Sequence, residues 1–422
     1  MHKRVLTLLG FAIGAVTIAA CSEKLDAGAS CPLLCPQQAI SLRDTLIDAI
    51  VVDTTIVGIP AIGNETYLML SSHGDTIDTR AIVRFDTLPQ TYQKSLVDST
   101  IVHIDTAMLL TPIAHIDSLK RPKVPITIEA YNVDTTQDAD TVAAVLGSLF
   151  RPDRFLGSKT FAPESLKDTL QIPISTDSVL TRVLAGTPLR VGFRLVSSQG
   201  YDLRIGTGSV SQPVTLRIRA STDTAATPVN VTPLSRTPLD KPFISGPLAD
   251  YTIVLKGQTP NPPNLLSVGG IPSRRSFFRF DVPSRIVDST TIVRASLLLT
   301  QIPNRRTDSK DTIYLYPSAI LASPVVTDVA SALGFLSPPG SFGLDSVAVV
   351  PGDSGVKSVE IVGLVRTWRL QPTTVSPRTL GLLSAVEGQV PAEVNFFSTR
   401  APVGLRPRLR ITYAPQTNYG LP

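Results

Sequence analysis

Histidine is scarce in this 422-residue chain, with four in all and none after His115. A histidine-based catalytic or metal site therefore has nothing to draw on over most of its length. Cysteine is scarcer still: Cys21, Cys31 and Cys35 are the only three. No disulfide framework can span the body of the protein, and a four-ligand zinc site has no further Cys or His near the last two. In Cys31-Pro32-Leu33-Leu34-Cys35 a small local disulfide and two free thiols both fit. Aromatic residues make up only 6%, with one tryptophan, thin for a broad platform of stacked rings. No apolar run reaches the ~20 residues of a membrane-spanning helix. The formal charge is +5, two of those charges being Lys3 and Arg4, and no basic run follows, so nucleic acid is not an expected partner. There is no glycine-rich phosphate loop and no His-Glu-x-x-His pair. No cofactor and no metal site is expected. The Asp-Thr and Asp-Ser pairs lack the spacing of a calcium loop, although they leave room for a structural calcium ion.

What is present begins with an address. His2-Lys3-Arg4 precedes an apolar run from Val5 to Ala20, which closes on Ile18-Ala19-Ala20-Cys21. Charge, a short apolar stretch, small residues and a cysteine in that order read as a signal peptide of residues 1–20. This order resembles the bacterial lipobox, which implies cleavage before Cys21 and lipidation of its thiol. Each buried methylene of such a lipid adds ~0.8 kcal/mol of membrane affinity. Ser22, rather than aspartate, follows the cysteine and points to the outer membrane. The expectation is a cell-envelope protein anchored to a membrane by its lipid, with residues 21–41 as a proline-bearing tether.

The body is rich in Val, Ile, Leu, Thr, Ser and 35 prolines, a mixture that favours short strands and abundant turns. It also repeats itself. Arg84-Phe85-Asp86 returns as Arg279-Phe280-Asp281. Leu70-Ser71-Ser72 aligns with Leu266-Ser267-Val268, and Ala107-Met108-Leu109-Leu110-Thr111 with Ser296-Leu297-Leu298-Leu299-Thr300. Ile126 to Tyr131 parallels Asp311 to Tyr316, and Leu216-Arg217-Ile218 parallels Leu409-Arg410-Ile411. Period-two alternation predicts strands with one buried face: Val293, Ala295, Leu297 and Leu299 inward in the second copy, and Ile104, Thr106, Met108 and Leu110 inward in the first, with His103 and Asp105 outward. The expected fold class is all-β, two tandem jelly-roll β-sandwich domains after a lipoprotein signal peptide. The first domain is assigned to 42–220, a proline-punctuated linker to 221–247, the second domain to 248–415 and a tail to 416–422.

The second copy carries Asp250-Tyr251-Thr252-Ile253, Asn264-Leu265-Leu266-Ser267-Val268-Gly269, Phe278-Arg279-Phe280-Asp281-Val282-Pro283, Val365-Arg366-Thr367-Trp368 and Arg406-Pro407-Arg408-Leu409-Arg410-Ile411. In this order it resembles the DNRLRE domain, a jelly-roll module of secreted and surface proteins related to carbohydrate-binding modules. The first copy keeps Arg84-Phe85-Asp86 but lacks the tryptophan and the closing Arg-Pro. The resemblance implies polysaccharide as a partner and supplies no binding residues.

Two chemical patterns compete with plain packing. Gly352-Asp353-Ser354-Gly355 echoes a serine-protease nucleophile, with His115 and Asp328 in matching chain order. Val356 follows where that motif needs glycine, and Asp328 stands too near Ser354 in sequence, so a turn is the better reading. Trp368 ends an apolar pattern of helical spacing, and the first copy offers Leu180, Val183 and Leu184 there, which suits a core position. Tyr314, Tyr316, Phe396 and Phe397 are expected mostly in the core. The sequence therefore points to a non-enzymatic cell-surface lipoprotein that binds or presents extracellular polysaccharide. The alternative is a structural or adhesive envelope protein with spacer domains or a cell-surface protein partner.

Overall fold

The alternating segments become strands, and the repeat dictates how they pair. The computed structural model describes residues 42–58, 63, 65–136, 141–208, 212–236, 248–304, 310–320, 336–338, 340–369 and 378–415. Residues 44–422 cluster as one unit. Two strands lead, β1 (Arg43–Ile47) and β2 (Ile50–Gly58). The first copy then supplies β3 (Tyr67–Ser72), β4 (Asp78–Phe85), β5 (Thr91–Lys94), β6 (Val97–Thr100), β7 (Thr106–Pro112), β8 (Ile126–Asn132), β9 (Phe155–Phe161), β10 (Thr169–Pro173), β11 (Leu189–Val196), β12 (Tyr201–Gly206) and β13 (Thr215–Arg219). Next come β14 (Val229–Val231) and β15 (Asp250–Lys256). The second copy supplies β16 (Leu265–Gly269), β17 (Ser273–Phe280), β18 (Thr290–Ile302), β19 (Ile313–Ala319), β20 (Val347–Val349), β21 (Gly355–Glu360), β22 (Thr379–Ser384), β23 (Glu393–Phe397) and β24 (Arg408–Pro415). Among the described residues four short α-helices intervene: α1 (Ala143–Ser148), α2 (Thr176–Ala185), α3 (Ser284–Val287) and α4 (Val362–Thr367).

The chain is all-β, built as two antiparallel sandwiches of the jelly-roll kind. In the first, β10-β7-β13-β14 faces β12-β3-β4-β11-β8-β9, and the inward side chains form one core that includes Leu68, Val83, Phe85, Leu109, Phe193 and Leu216. In the second, β21-β18-β24-β1 takes the place of the former layer, and β23-β16-β17-β22-β19-β20 that of the latter. Its core includes Val268, Phe278, Phe280, Leu297, Trp368 and Phe396.

The domain boundaries read from the sequence are corrected by the ladders. β15, which opens the second copy, pairs with β4 of the first from Asp250 opposite Val83 to Lys256 opposite Asp78. β2, which opens the first copy, pairs with β17 of the second from Gly58 opposite Ser273 to Ile50 opposite Phe280. The exchange is reciprocal down to single bonds. Thr252 Oγ1 accepts from Met69 N at 3.0 Å, and Thr55 Oγ1 from Ser267 N at 3.0 Å. Asp250 accepts from Gly208 N, and Asp53 from Thr399 N. Leu234 O accepts from Asp86 N, and Ala49 O from Asp281 N. The first sandwich is thus one continuous stretch, about 65–256, while the second combines 43–58 with 265–415. Likewise the described part of the expected linker, 221–236, is no free spacer. β14 pairs with β13, and Leu234 bridges Phe85. The rest of it, 237–247, lies outside the described residues, as do the signal, the tether to residue 41 and the tail.

The Arg-Phe-Asp motif gains a physical role here. Arg84 and Asp86 lie on one face of the strand end and form a two-pronged ion pair, Nε to Oδ1 at 3.3 Å and Nη2 to Oδ2 at 3.0 Å. Asp86 Oδ2 also accepts from Arg236 N at 2.8 Å, so the pair clasps the returning chain. The corresponding Arg279 and Asp281 are exposed.

One inward set is overturned except at Ile104, which is buried in the first core. In β7 the buried residues are Ala107, Leu109 and Thr111, whereas Thr106 is exposed and Met108 and Leu110 are half-buried. The ladders place Ala107 opposite Ile218 and Ala295 opposite Ile411, so Ala107 corresponds to Ala295 rather than to Ser296. A one-residue slip of this kind inverts every side chain of a strand. The second copy keeps Ala295, Leu297 and Leu299 inward, but an irregularity between Ile292 and Arg294 turns Val293 out, 44% exposed.

Among the helices α2 is the best defined. Ser175 accepts from Ser178 N at 3.1 Å at its start, Gly186 at φ 61° closes it, and Val179 and Val183 face the core. Ser175→Ala is expected to cost about 1 kcal/mol, read as a lower urea midpoint. An unchanged midpoint would show that the cap is not formed.

Candidate functional site

Exposed aromatic rings are rare in this fold, and their positions single out two faces. Among the described residues the large exposed apolar side chains include only two aromatics, Phe155 at 44% and Tyr314 at 50%. Both project from the outer face of the longer layer, on its last two strands: Phe155 from β9 beside β8, and Tyr314 from β19 beside β20. The corresponding ladders of β8 on β11 and β19 on β22 put both rings on the same outer face of the repeat, although Tyr314 corresponds to Thr127 and Phe155 lies further along, opposite Tyr131.

On the first sandwich Phe155 stands edge-on to Tyr131, with centroids 5.5 Å apart at 73°. Tyr131 in turn tilts against Phe150 at 5.3 Å. The Tyr131 hydroxyl donates to Glu129 at 2.9 Å, and Arg194 Nη1 lies 3.7 Å from the same carboxylate. Burial, together with Glu129 accepting the phenol proton, holds the Tyr131 hydroxyl above its ordinary pKa. Ring, carboxylate and guanidinium therefore share one outward strip. The strip is held from beneath by α1: Leu146 packs with Ile82, Tyr131, Tyr251 and Ile253, and Arg80 lies over Phe150 at 4.4 Å. On the second sandwich Tyr314 and Tyr316 sit two apart on β19, Tyr316 half-buried opposite Leu383. Lys120 of the first sandwich reaches Asp311 just ahead of β19.

These two tyrosines correct the expectation of burial, since alternation turns them away from Ile313 and Leu315, which enter the core. Phe396 is buried and Phe397 half-buried. Trp368 is 4% exposed and stacks on Phe280 at 5.4 Å. Ser354 lies exposed in a turn before β21, with Asp353 bonded to Lys357 at 3.2 Å. His115 is exposed, and Asp328 falls outside the described residues. His103 is exposed in irregular chain ahead of β7 rather than on a strand face. His73, in a turn, places Nε2 2.9 Å from Asp202. Cys21, Cys31 and Cys35 lie outside the described residues. Among those described, no group of three or more His, Cys, Asp or Glu is placed to hold a metal, and no helix is long and apolar enough to cross a membrane.

A small pocket of about 20 Å³ opens where the sandwiches meet, lined by Glu65, Thr252, Val254, Ile271 and Ser273 among others. Glu65 accepts from Gly63 N at 2.6 Å and from Thr252 N at 3.4 Å. Burial, against those bonds and with Asp250 adding repulsion, pushes its carboxyl up to about 7. Such a carboxyl suits proton transfer, but the other lining side chains bring no second titratable group. Nothing in the sequence marked Glu65, because its burial follows from the strand exchange.

No protein-family model matches this chain, and no curated protein matches it. Among solved structures, the chain is similar to the Macrobrachium rosenbergii nodavirus at 11% identity, covering 91% of this chain and 94% of that one with a TM-score of 0.16. A T13 particle of IBDV is similar at 11% identity, 88% and 74% coverage, and a TM-score of 0.13. Superpositions this poor carry nothing about the chain's role.

Proposed function

We propose that the protein is a non-enzymatic lipoprotein of the cell envelope, anchored in the outer membrane through Cys21, that binds or presents extracellular polysaccharide. The observation that carries this reading is the exposure of Phe155 and Tyr314 on corresponding outer faces of the two sandwiches. A sugar ring offers an apolar C–H face and a rim of hydroxyls. An exposed aromatic ring suits the former, and the Glu129–Arg194 pair supplies charged partners for the latter. The DNRLRE resemblance of the second copy supports the same partner class. A second reading, an envelope spacer or adhesin with a protein partner, is favoured by the reciprocal strand exchange, which joins the sandwiches more firmly than a flexible linker would.

Soluble protein from Ser22 to Pro422, tested on insoluble polysaccharides and a glycan array with and without calcium, separates the two. Retention is expected, with Phe155→Ala and Tyr314→Ala each weakening it by about tenfold, the loss of roughly one stacking contact. Silence across the panel from folded protein would leave the spacer reading standing.

A further inference from the structure

Among the described residues, the segment of β1 and β2 is held by strands remote from it in sequence, β24 and β17. The side-chain bonds described for it reach Ser267 and Ser276 on one side and residues 399–412 on the other. Asp44 takes three bonds from Arg410, at 3.2, 2.9 and 2.7 Å, and one from Thr412 at 3.0 Å. Asp53 takes Thr399 N at 2.6 Å and Thr399 Oγ1 at 2.8 Å. Thr55 meets Ser276 at 3.2 Å. Its backbone lies on β17, and the sandwich that follows it is closed by β15 instead. The two exchanged strands are also unequally held. β15 buries Tyr251 and Ile253 beneath α1, whereas β2 leaves Val51, Val52 and Val57 about half exposed, at 55%, 50% and 46%.

We propose that residues 43–58 are a transferable strand pair, which a second copy of this chain accepts in its own second sandwich. Every bond just described is made to residues that a second copy presents identically, so the exchange replaces each contact like for like. Only the short connection that follows Gly58 in the sequence differs between the two arrangements. Exchanging an existing element in this way is a low-cost route to a dimer. The first sandwich stays whole throughout, because β14 and β15 follow it in the same chain. The balance is set by effective concentration: a short connection keeps the chain's own strand at about millimolar local concentration, so exchange grows as the protein is concentrated.

The test uses the soluble chain from Ser22 with Cys31→Ser and Cys35→Ser, in two single variants, Thr55→Cys and Ser276→Cys, and one double variant carrying both. After brief exposure to moderate urea, return to buffer and mild oxidation, the double variant is expected to close its disulfide within one chain, which verifies the seam. The mixed single variants are expected to give a disulfide-linked heterodimer, about tenfold more abundant at ~100 µM than at ~10 µM chain. Closure within the double variant without any heterodimer at ~1 mM, where local and bulk concentrations match, would overturn the proposal. Failure of the double variant to close would remove the seam on which it rests.

Discussion

Replacing Glu393 by alanine is expected to destabilise the fold by about 3–5 kcal/mol, because it leaves a buried guanidinium without its counter-charge. Arg274 and Glu393 form an ion pair with side chains only 2% and 4% exposed. The arginine's remaining bonds go to neutral oxygens, Gln258 Oε1 at 3.2 Å, Gln258 O at 2.7 Å and Thr259 O at 3.1 Å. Glu393 also orders its surroundings, since Asn261 Nδ2 lies 2.6 Å from it and 2.7 Å from Asn395. The pair is less valuable than its removal suggests. Two charges withdrawn from water repay that cost only through each other, so the joint change Arg274→Met with Glu393→Met is expected to recover most of the loss. Urea unfolding of the parent and these two variants decides it. A loss below about 1 kcal/mol for Glu393→Ala would show that water reaches the pair.

The second large effect concerns pH. Glu65 in the folded chain ionises near 7 against an ordinary value of 4.5, so folding favours its protonated form. The stability this contributes is fully present below about pH 4.5 and is lost as pH rises through about 7, amounting to about 3 kcal/mol at alkaline pH. Asp250, also raised by burial, adds to the same trend. The exposed carboxyls of Asp44, Asp117 and Asp223 are lowered, by the Arg410 bond, the Leu119 amide and the Ala225 amide respectively. Their contribution is lost only as pH falls below the ordinary aspartate range, so stability should peak at about pH 4–5. Glu65→Gln is expected to flatten most of the slope between pH 5 and 8 and to unfold at higher urea than the parent at pH 8. A parent protein equally stable at both pH values would refute the burial of this carboxyl.

Much of the architecture was legible because a repeat constrains itself. The all-β jelly-roll class and the burial of Trp368 follow from alternation and from comparing one copy with the other. Register was less secure. Matching Leu70 to Leu266 is two residues off, since Ser71 lies opposite Thr79 as Gly269 lies opposite Arg274. A slip of two leaves every side chain on its proper face, so it did no harm. The slip of one in β7 did, because Met108-Leu109-Leu110 offers apolar residues to both faces and alternation cannot choose between them. The strand exchange was invisible for a deeper reason. When two sheets share one plan, alternation alone does not say whether β2 and β15 join their own copy or the other. Glu65 and the pocket were hidden with it. Tyr314 and Tyr316 were missed because an aromatic on a strand signals a sheet, not which face of it.

The placement of β1 and β2 in the second sandwich also settles how a pull would travel through the molecule. Tension applied between residue 44 and residue 415 enters on β1 and leaves on β24, neighbouring strands of a single sheet. The first sandwich, entered after Gly58 and left after Lys256, hangs as a closed loop off that load path. Drag on the C-terminal end is therefore borne by the second sandwich alone, and the first feels none of it until β2 shears away from β17.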